Sequence, residues 1–402
     1  MAGLMPVDEA LARLLADIRP LPSEEVSIDQ AAGRVLAQGI VARRTQPPFD
    51  ASAMDGYAVR ADDVSNPPKA LQVIGESIAG KRFEGEVGPR QAVRIFTGAP
   101  LPRGSNAVLL QEDARVAGDG LVEALEAVAP GRHIRRSGLD FEAGDALLPA
   151  GRFLDPAALS LAAAANYPHL PVVCKPLVAI LATGSELVAP GDTPGPDQIV
   201  ASNGYGVAAL AAAAGAEILD LGIEPDDRAM LGASVRRALD EGADVIVTLG
   251  GASVGDHDLV REVLTGEGMA LDFWKIAMRP GKPLMFGRFG DVRALGLPGN
   301  PVSSLVCAHL FLKPLVAKLG GREFAPDIRE AFLAEPMKAN DHRRDYVRAL
   351  AEQVGGRLIV TPFGTQDSSM LKTLAAANAL LIREPHAPAA QAGEPCRVLM
   401  LR

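Results

Sequence analysis

The sequence predicts a multidomain α/β protein: a doubly wound, mostly parallel sheet domain, an inserted β domain, a helical framework region and a C-terminal β barrel. Three observations carry this. At 402 residues the chain is too long for one ordinary core, so roughly two to four domains are expected. Between 176 and 326, short apolar runs alternate with helical patterns, as in a parallel sheet covered on both faces. On either side, at 46–150 and 327–402, short β-rich runs separated by Gly, Pro, Asn and Asp take over.

In chain order, residues 7–18 carry apolar groups at helical spacing, and a second short helix is expected over 29–37 after Ser27. Together with an Ala-rich helix over 156–165, which is expected to pack back against them, they form a framework region, 1–45 and 151–175. The β domain interrupts it. Its runs Y-A-V-R, A-L-Q-V-I-G, A-V-R-I-F-T-G and N-A-V-L-L-Q are bounded by turns holding Ser52, Asp55 and Gly56, then Thr97 and Gly98, then Arg135, Arg136 and Asp140. An acidic turn residue can simply bond its own backbone. In the sheet domain L-V-A-I-L-A-T-G ends at Thr183 and Gly184, with Ser185 and Glu186 following. The terminal runs Y-V-R-A-L-A, R-L-I-V-T-P, A-L-L-I-R-E and C-R-V-L-M suit a small barrel.

The richest stretch is 244–304. Val245 to Leu249 reads as a central strand ended by Gly250 and Gly251, where glycine lets backbone amides approach an anion. Ser253, Gly255, Asp256 and Asp258 follow, so hard oxygen ligands sit beside that turn. A second strand over 293–297 leads into Pro298, Gly299, Asn300 and Pro301 and an apolar helix over 302–319, which Pro314 is expected to kink or end early. Lys275, Arg279 and Lys282 lie between the strands, beside prolines that stiffen the loop. Any one of these pieces is an ordinary turn. Together they describe an anion-binding crevice with acidic metal candidates.

These residues also carry a resemblance. L-G-G-A-S-V-G-D-H-D, R-P-G-K-P and G-L-P-G-N-P-V-S-S, with F-D-A-S-A-M-D-G-Y-A-V-R and I-F-T-G-A-P upstream, resemble the molybdopterin molybdenumtransferase (MoeA) family, also represented by the E domain of gephyrin. The resemblance spans essentially the whole chain. It implies a sheet domain of molybdopterin-binding type and insertion of molybdenum from molybdate into adenylylated molybdopterin, with release of AMP. It further implies a homodimer with shared active sites and contact with the molybdopterin adenylyltransferase. Asp55, Thr97 and Asp140 match positions the family uses around its site, and Ser368 or Ser369 of F-G-T-Q-D-S-S-M-L is expected to approach the pterin. The expected site is then Asp55, Thr97, Asp140, Glu186, Asp258, Lys275 and Lys282 for the chemistry, Gly250, Gly251, Ser253, Gly255, Arg279, Pro298–Pro301 and Ser368 for binding, and Glu186, Asp227 and Asp258 for Mg²⁺. Arg279 stands where a Lys is common, A-S-N-G where D-[ST]-N-R is common, and Ala51 where Asn is common. A different nucleotidyl or phosphoryl transferase, or a non-catalytic scaffold, are the alternatives.

Composition excludes other classes. A net charge of −9 argues against a nucleic-acid binder, which needs a basic face. The N-terminus lacks a basic and then apolar leader, and no apolar run is expected to span a bilayer, so a cytoplasmic protein is expected. Cys174, Cys307 and Cys396 are isolated, without disulfide or zinc spacing. Gly204, Gly206 and Ala209 satisfy G-x-G-x-x-A, but they follow S-N rather than a clear apolar strand, and Ser202 and Asn203 read as helix caps rather than dinucleotide ligands.

Overall fold

The computed structural model describes residues 4–250 and 259–401. The chain divides into two compact units, one of 1–24, 33–35 and 172–402, the other of 25–32 and 36–171.

The first unit is built on a six-stranded sheet. After α1 (Val7–Leu15) come β1 (Leu177–Thr183), α2 (Asn203–Ala213), β2 (Glu217–Glu224), α3 (Arg228–Asp240), β3 (Val245–Leu249), α4 (Leu259–Gly266), β4 (Ala270–Trp274), β5 (Met285–Phe289), β6 (Val292–Leu297) and α5 (Pro301–Leu319). The strand order is β2-β1-β3-β6-β5-β4, parallel across β2, β1, β3 and β6 and antiparallel at β5 and β4. Burial follows the two-residue strand period. Val178, Ile180, Val245 and Val247 pack with Val207 and Val302 on one face, whereas Ala179, Leu181 and Ile246 pack with Leu231, Val235 and Val260 on the other. The apolar runs are unbroken because both faces are covered.

Three local expectations are corrected. The second opening helix is only a 3₁₀ turn, Ile28–Gln30, because Gly33 takes φ +72° and breaks any continuation. The helix carrying Pro314 does not end early: a π turn over Ala308–Leu312 precedes the proline, and the wider turn lets the chain continue to Leu319 despite the missing amide. That helix, Pro301–Leu319, is also long and apolar enough to cross a membrane, contrary to the reading of the sequence. Its apolar side chains serve the core instead, with Val302, Val306, Phe311 and Leu315 fully buried.

The unit continues into the barrel: β7 (Ile328–Leu333), β8 (Arg344–Val354), β9 (Arg357–Pro362), α6 (Leu371–Ala376), β10 (Ala379–Arg383) and β11 (Pro395–Met400). The order β8-β9-β7-β11-β10 closes because β10 also pairs β8. Met278–Arg279 adds a short parallel pairing to β8, which ties the basic loop to the barrel. α1 packs against the last turns of α5.

In the second unit a six-stranded sheet holds the β-rich runs of the sequence in the order 107–110, 56–59, 91–95, 69–77, 121–124 and 114–118. The helix Pro156–Ala164 belongs here, its first turn capped by Asp155, which accepts from the Ala158 amide.

Candidate active site

Sheet register builds the site. Ala182 is level with Leu249, and Leu249 with Leu297, so the turns after β1, β3 and β6 emerge side by side at the strand C-termini. β1 lies between β2 and β3, where the winding reverses, the usual position of a ligand crevice in such sheets. A crevice of about 670 Å³ opens there, lined among others by Thr183, Glu186, Asp226, Gly250, Gly299 and Asn300. Gly250 has φ +104°, and a Cβ there would lie 2.3 Å from the Thr183 carbonyl oxygen, so only glycine allows this close approach.

The expected binding residues gather here in part. Gly250, Pro298, Gly299, Asn300 and Pro301 line the crevice together with Glu186. Ser368 reaches it from the barrel: its hydroxyl accepts from Asn300 Nδ2 at 3.0 Å, and its carbonyl accepts from the Val302 amide at 3.0 Å. Gly251, Ser253, Gly255, Asp256 and Asp258 lie outside the described residues.

The cations are engaged differently from one another. Lys275, at φ +72°, holds its ammonium 3.7 Å from the centre of the Trp274 ring. Arg279 pairs with Asp345 and with Asp341 at 3.5 Å, facing a neighbouring 490 Å³ pocket against the barrel. Lys282 contributes its carbonyl to the Ile276 amide, and the adjacent Pro283 lines the crevice.

Asp227 is an N-cap. Its Oδ1 accepts from the amides of Ala229 at 2.9 Å and Met230 at 3.0 Å, satisfying the open end of α3. Among the described residues no group of three or more His, Cys, Asp or Glu gathers as a metal site. Glu186 and Asp226 both line the crevice.

In the second unit Asp55 Oδ1 accepts from the Thr97 amide at 2.7 Å and the Thr97 hydroxyl at 2.8 Å, and those two bonds hold the carboxyl below its ordinary pKa. Asp140 is exposed, its amide bonded to the Gln46 carbonyl at 3.0 Å. Asp50, which the sequence reading passed over, accepts from Ser137 and Arg136.

Other contributors also escaped the sequence. Ser202 makes no capping bond, and Asn203 donates instead to the Gly299 carbonyl at 2.7 Å, tying α2 to the turn after β6. Of the G-x-G-x-x-A glycines, Gly206 has a packing role: a Cβ there would lie 2.7 Å from Leu305 of α5, whereas one on Gly204 would meet only an ordinary contact at 3.8 Å. Asp226 stands next to the nominated Asp227 and could have been found as the second acid of P-D-D. A more enclosed cavity of about 410 Å³ lies between α1, α5 and the barrel, lined by His309, Phe311 and Tyr346 and remote from the strand ends.

Family models match the chain in three blocks: "MoeA N-terminal region (domain I and II)" over 5–166, "Probable molybdopterin binding domain" over 179–318 and "MoeA C-terminal region (domain IV)" over 330–401. A molybdopterin molybdenumtransferase of Haemophilus influenzae is 35% identical over 397 residues, covering 97% of each chain. Molybdopterin molybdenumtransferase 2 of Mycobacterium tuberculosis is 37% identical over 395 residues, covering 95% of each. The crystal structure of a molybdopterin biosynthesis MoeA protein from Pyrococcus horikoshii superposes with a TM-score of 0.83 at 29% identity over 100% of both chains.

Proposed function

The chain belongs to the MoeA family of molybdopterin molybdenumtransferases, and from that premise we propose how its own residues do the work. It is a transferase of molybdenum cofactor biosynthesis that inserts molybdenum, with molybdopterin and molybdenum as substrates. The observation that carries the reading is the strand-end crevice in the domain matched as molybdopterin-binding, at the point where such sheets take ligands.

The substrate we propose is adenylylated molybdopterin, and the second product AMP. Molybdate and a pyrophosphate repel one another, so the site must bring two anions together. Glycine turns at Gly250 and Gly299 let backbone approach the phosphates, while Lys282 and Arg279 supply positive charge, each hydrogen bond to a charged group contributing about 1.5–3 kcal/mol. Arg279 acts from within its pairs with Asp345 and Asp341. Mg²⁺ belongs to the proposal as a counter-ion at Glu186 and Asp226, which leaves Asp227 to its helix. Such an ion offsets charge on phosphate and molybdate oxygens.

Asp55, Thr97 and Asp140 lie in a different unit from the crevice. We propose that a homodimer unites both sets in shared sites, that the adenylyltransferase supplying the substrate is a contact partner, and that the protein works in the cytoplasm. Incubation with adenylylated molybdopterin should yield AMP and active cofactor only with molybdate and a divalent cation. AMP release independent of molybdate, with no cofactor formed, would favour a plain phosphoryl transferase.

A further inference from the structure

In F-G-T-Q-D-S-S-M-L the serines approach the crevice, yet the segment is held by a pair, Arg348 and Gln366, that contributes none of its bonds to the crevice. Arg348 on β8 is 1% exposed. Its amide and its Nε both donate to Gln366 Oε1, at 2.9 and 3.1 Å, and its outer nitrogen donates to the Asp367 carbonyl at 2.6 Å. Gln366 Nε2 donates in return to the carbonyls of Arg348 at 3.0 Å and Phe363 at 2.8 Å. Both amide donors and the carbonyl of the Gln366 side chain are thereby satisfied. Two residues on, Ser368 meets Asn300 and Val302, and Asp367 Oδ1 accepts from the amide and hydroxyl of Ser369, at 2.8 and 2.6 Å. Ser369 and Leu371 line the crevice.

We propose that Gln366 is a positioning residue for the molybdenum-insertion reaction: locked on Arg348, its carboxamide sets the conformation of 363–369 and so presents Ser368 and Ser369 to the substrate's anionic groups. It touches no substrate. Loss of the lock leaves the serines present but sampling several positions, so substrate affinity falls before the bond-making step does. This role rests on the transferase reading above, and two readouts separate the two.

Gln366→Leu removes every side-chain bond of Gln366 and leaves only the Arg348 bond to the Asp367 carbonyl, whereas Gln366→Glu keeps the acceptor facing Arg348 and loses the donors. In the full-length protein, Gln366→Leu, which leaves the buried Arg348 Nε without its acceptor, should lower the unfolding temperature modestly while still folding, speed amide hydrogen exchange within 363–371 and raise KM for adenylylated molybdopterin about tenfold, with a smaller change in kcat. Gln366→Glu should recover part of both effects. Unchanged exchange and unchanged KM in Gln366→Leu would overturn the proposal, as would a loss confined to kcat. If Gln366→Leu does not fold, the same criteria apply to Gln366→Glu. A wild-type protein that forms no cofactor would sink the transferase reading, and the exchange comparison alone would then uphold or overturn the lock.

Discussion

The Asp55 carboxylate is held by a single residue, Thr97, which donates both its amide, at 2.7 Å, and its hydroxyl, at 2.8 Å, to the same oxygen. The pair joins two turns 42 positions apart and keeps a half-buried carboxylate charged and oriented.

Asp55→Asn should preserve the fold, since an amide oxygen can still accept from Thr97, yet reduce AMP release on the order of a hundredfold. Steady-state turnover alongside thermal unfolding checks this. A drop in stability that parallels the drop in activity would mean the residue serves packing.

Thr97→Val keeps the amide bond and removes the hydroxyl bond. Both Thr97 donors lower the Asp55 pKa, the amide more, so the substitution should raise it and move the acid limb of the pH–rate profile to higher pH. An acid limb that stays in place would show that Asp55 ionisation does not govern turnover.

Gly250→Ala sets a methyl against the Thr183 carbonyl at a backbone angle that side chains rarely adopt. Denaturant unfolding should show a loss of roughly 2 kcal/mol or more. A near-neutral result would mean the turn between β3 and the crevice relaxes freely.

His309 provides a pH test away from the site. Burial holds its pKa at about 4, below the ordinary 6.5. Between those values the unfolded chain binds a proton that the folded chain does not, so stability falls as pH drops from 6.5 towards 4, by on the order of 2 kcal/mol after allowance for partial exposure. His309→Leu should flatten this slope, and an unchanged slope would assign it to other groups.

Shared sites are testable by mixing. Asp55→Asn and Glu186→Gln proteins, each inactive, should recover about a quarter of wild-type activity when refolded together, because half the dimers are mixed and each holds one intact site. Heterodimers without activity would mean that each subunit completes its own site.

Much of the fold was legible because its signals are local. The β-branched run Val245–Leu249, the glycines that end it and the P-G-N-P turn specify strand, turn and helix start through backbone preferences. The basic loop was legible from its cations beside stiffening prolines, whereas the terminal-domain serines were legible only through motif resemblance. The barrel strand β7 and the six-residue α6 were missed because neither carries a strong periodic pattern.

The alternation of elements and the residue types placed at the strand ends follow directly from the chain, since burial period and glycine freedom act within a few residues. The part played by several polar side chains depends on their surroundings in the fold. Asp227 caps its own helix while neighbouring Asp226 faces the crevice, Lys275 settles on Trp274, and Arg279 finds Asp345, 66 positions away. The Asp227 cap and the Lys275 contact with Trp274 are local, whereas the partner of Arg279 and the crevice that Asp226 lines come from elements far along the chain, which packing and not sequence position brings near.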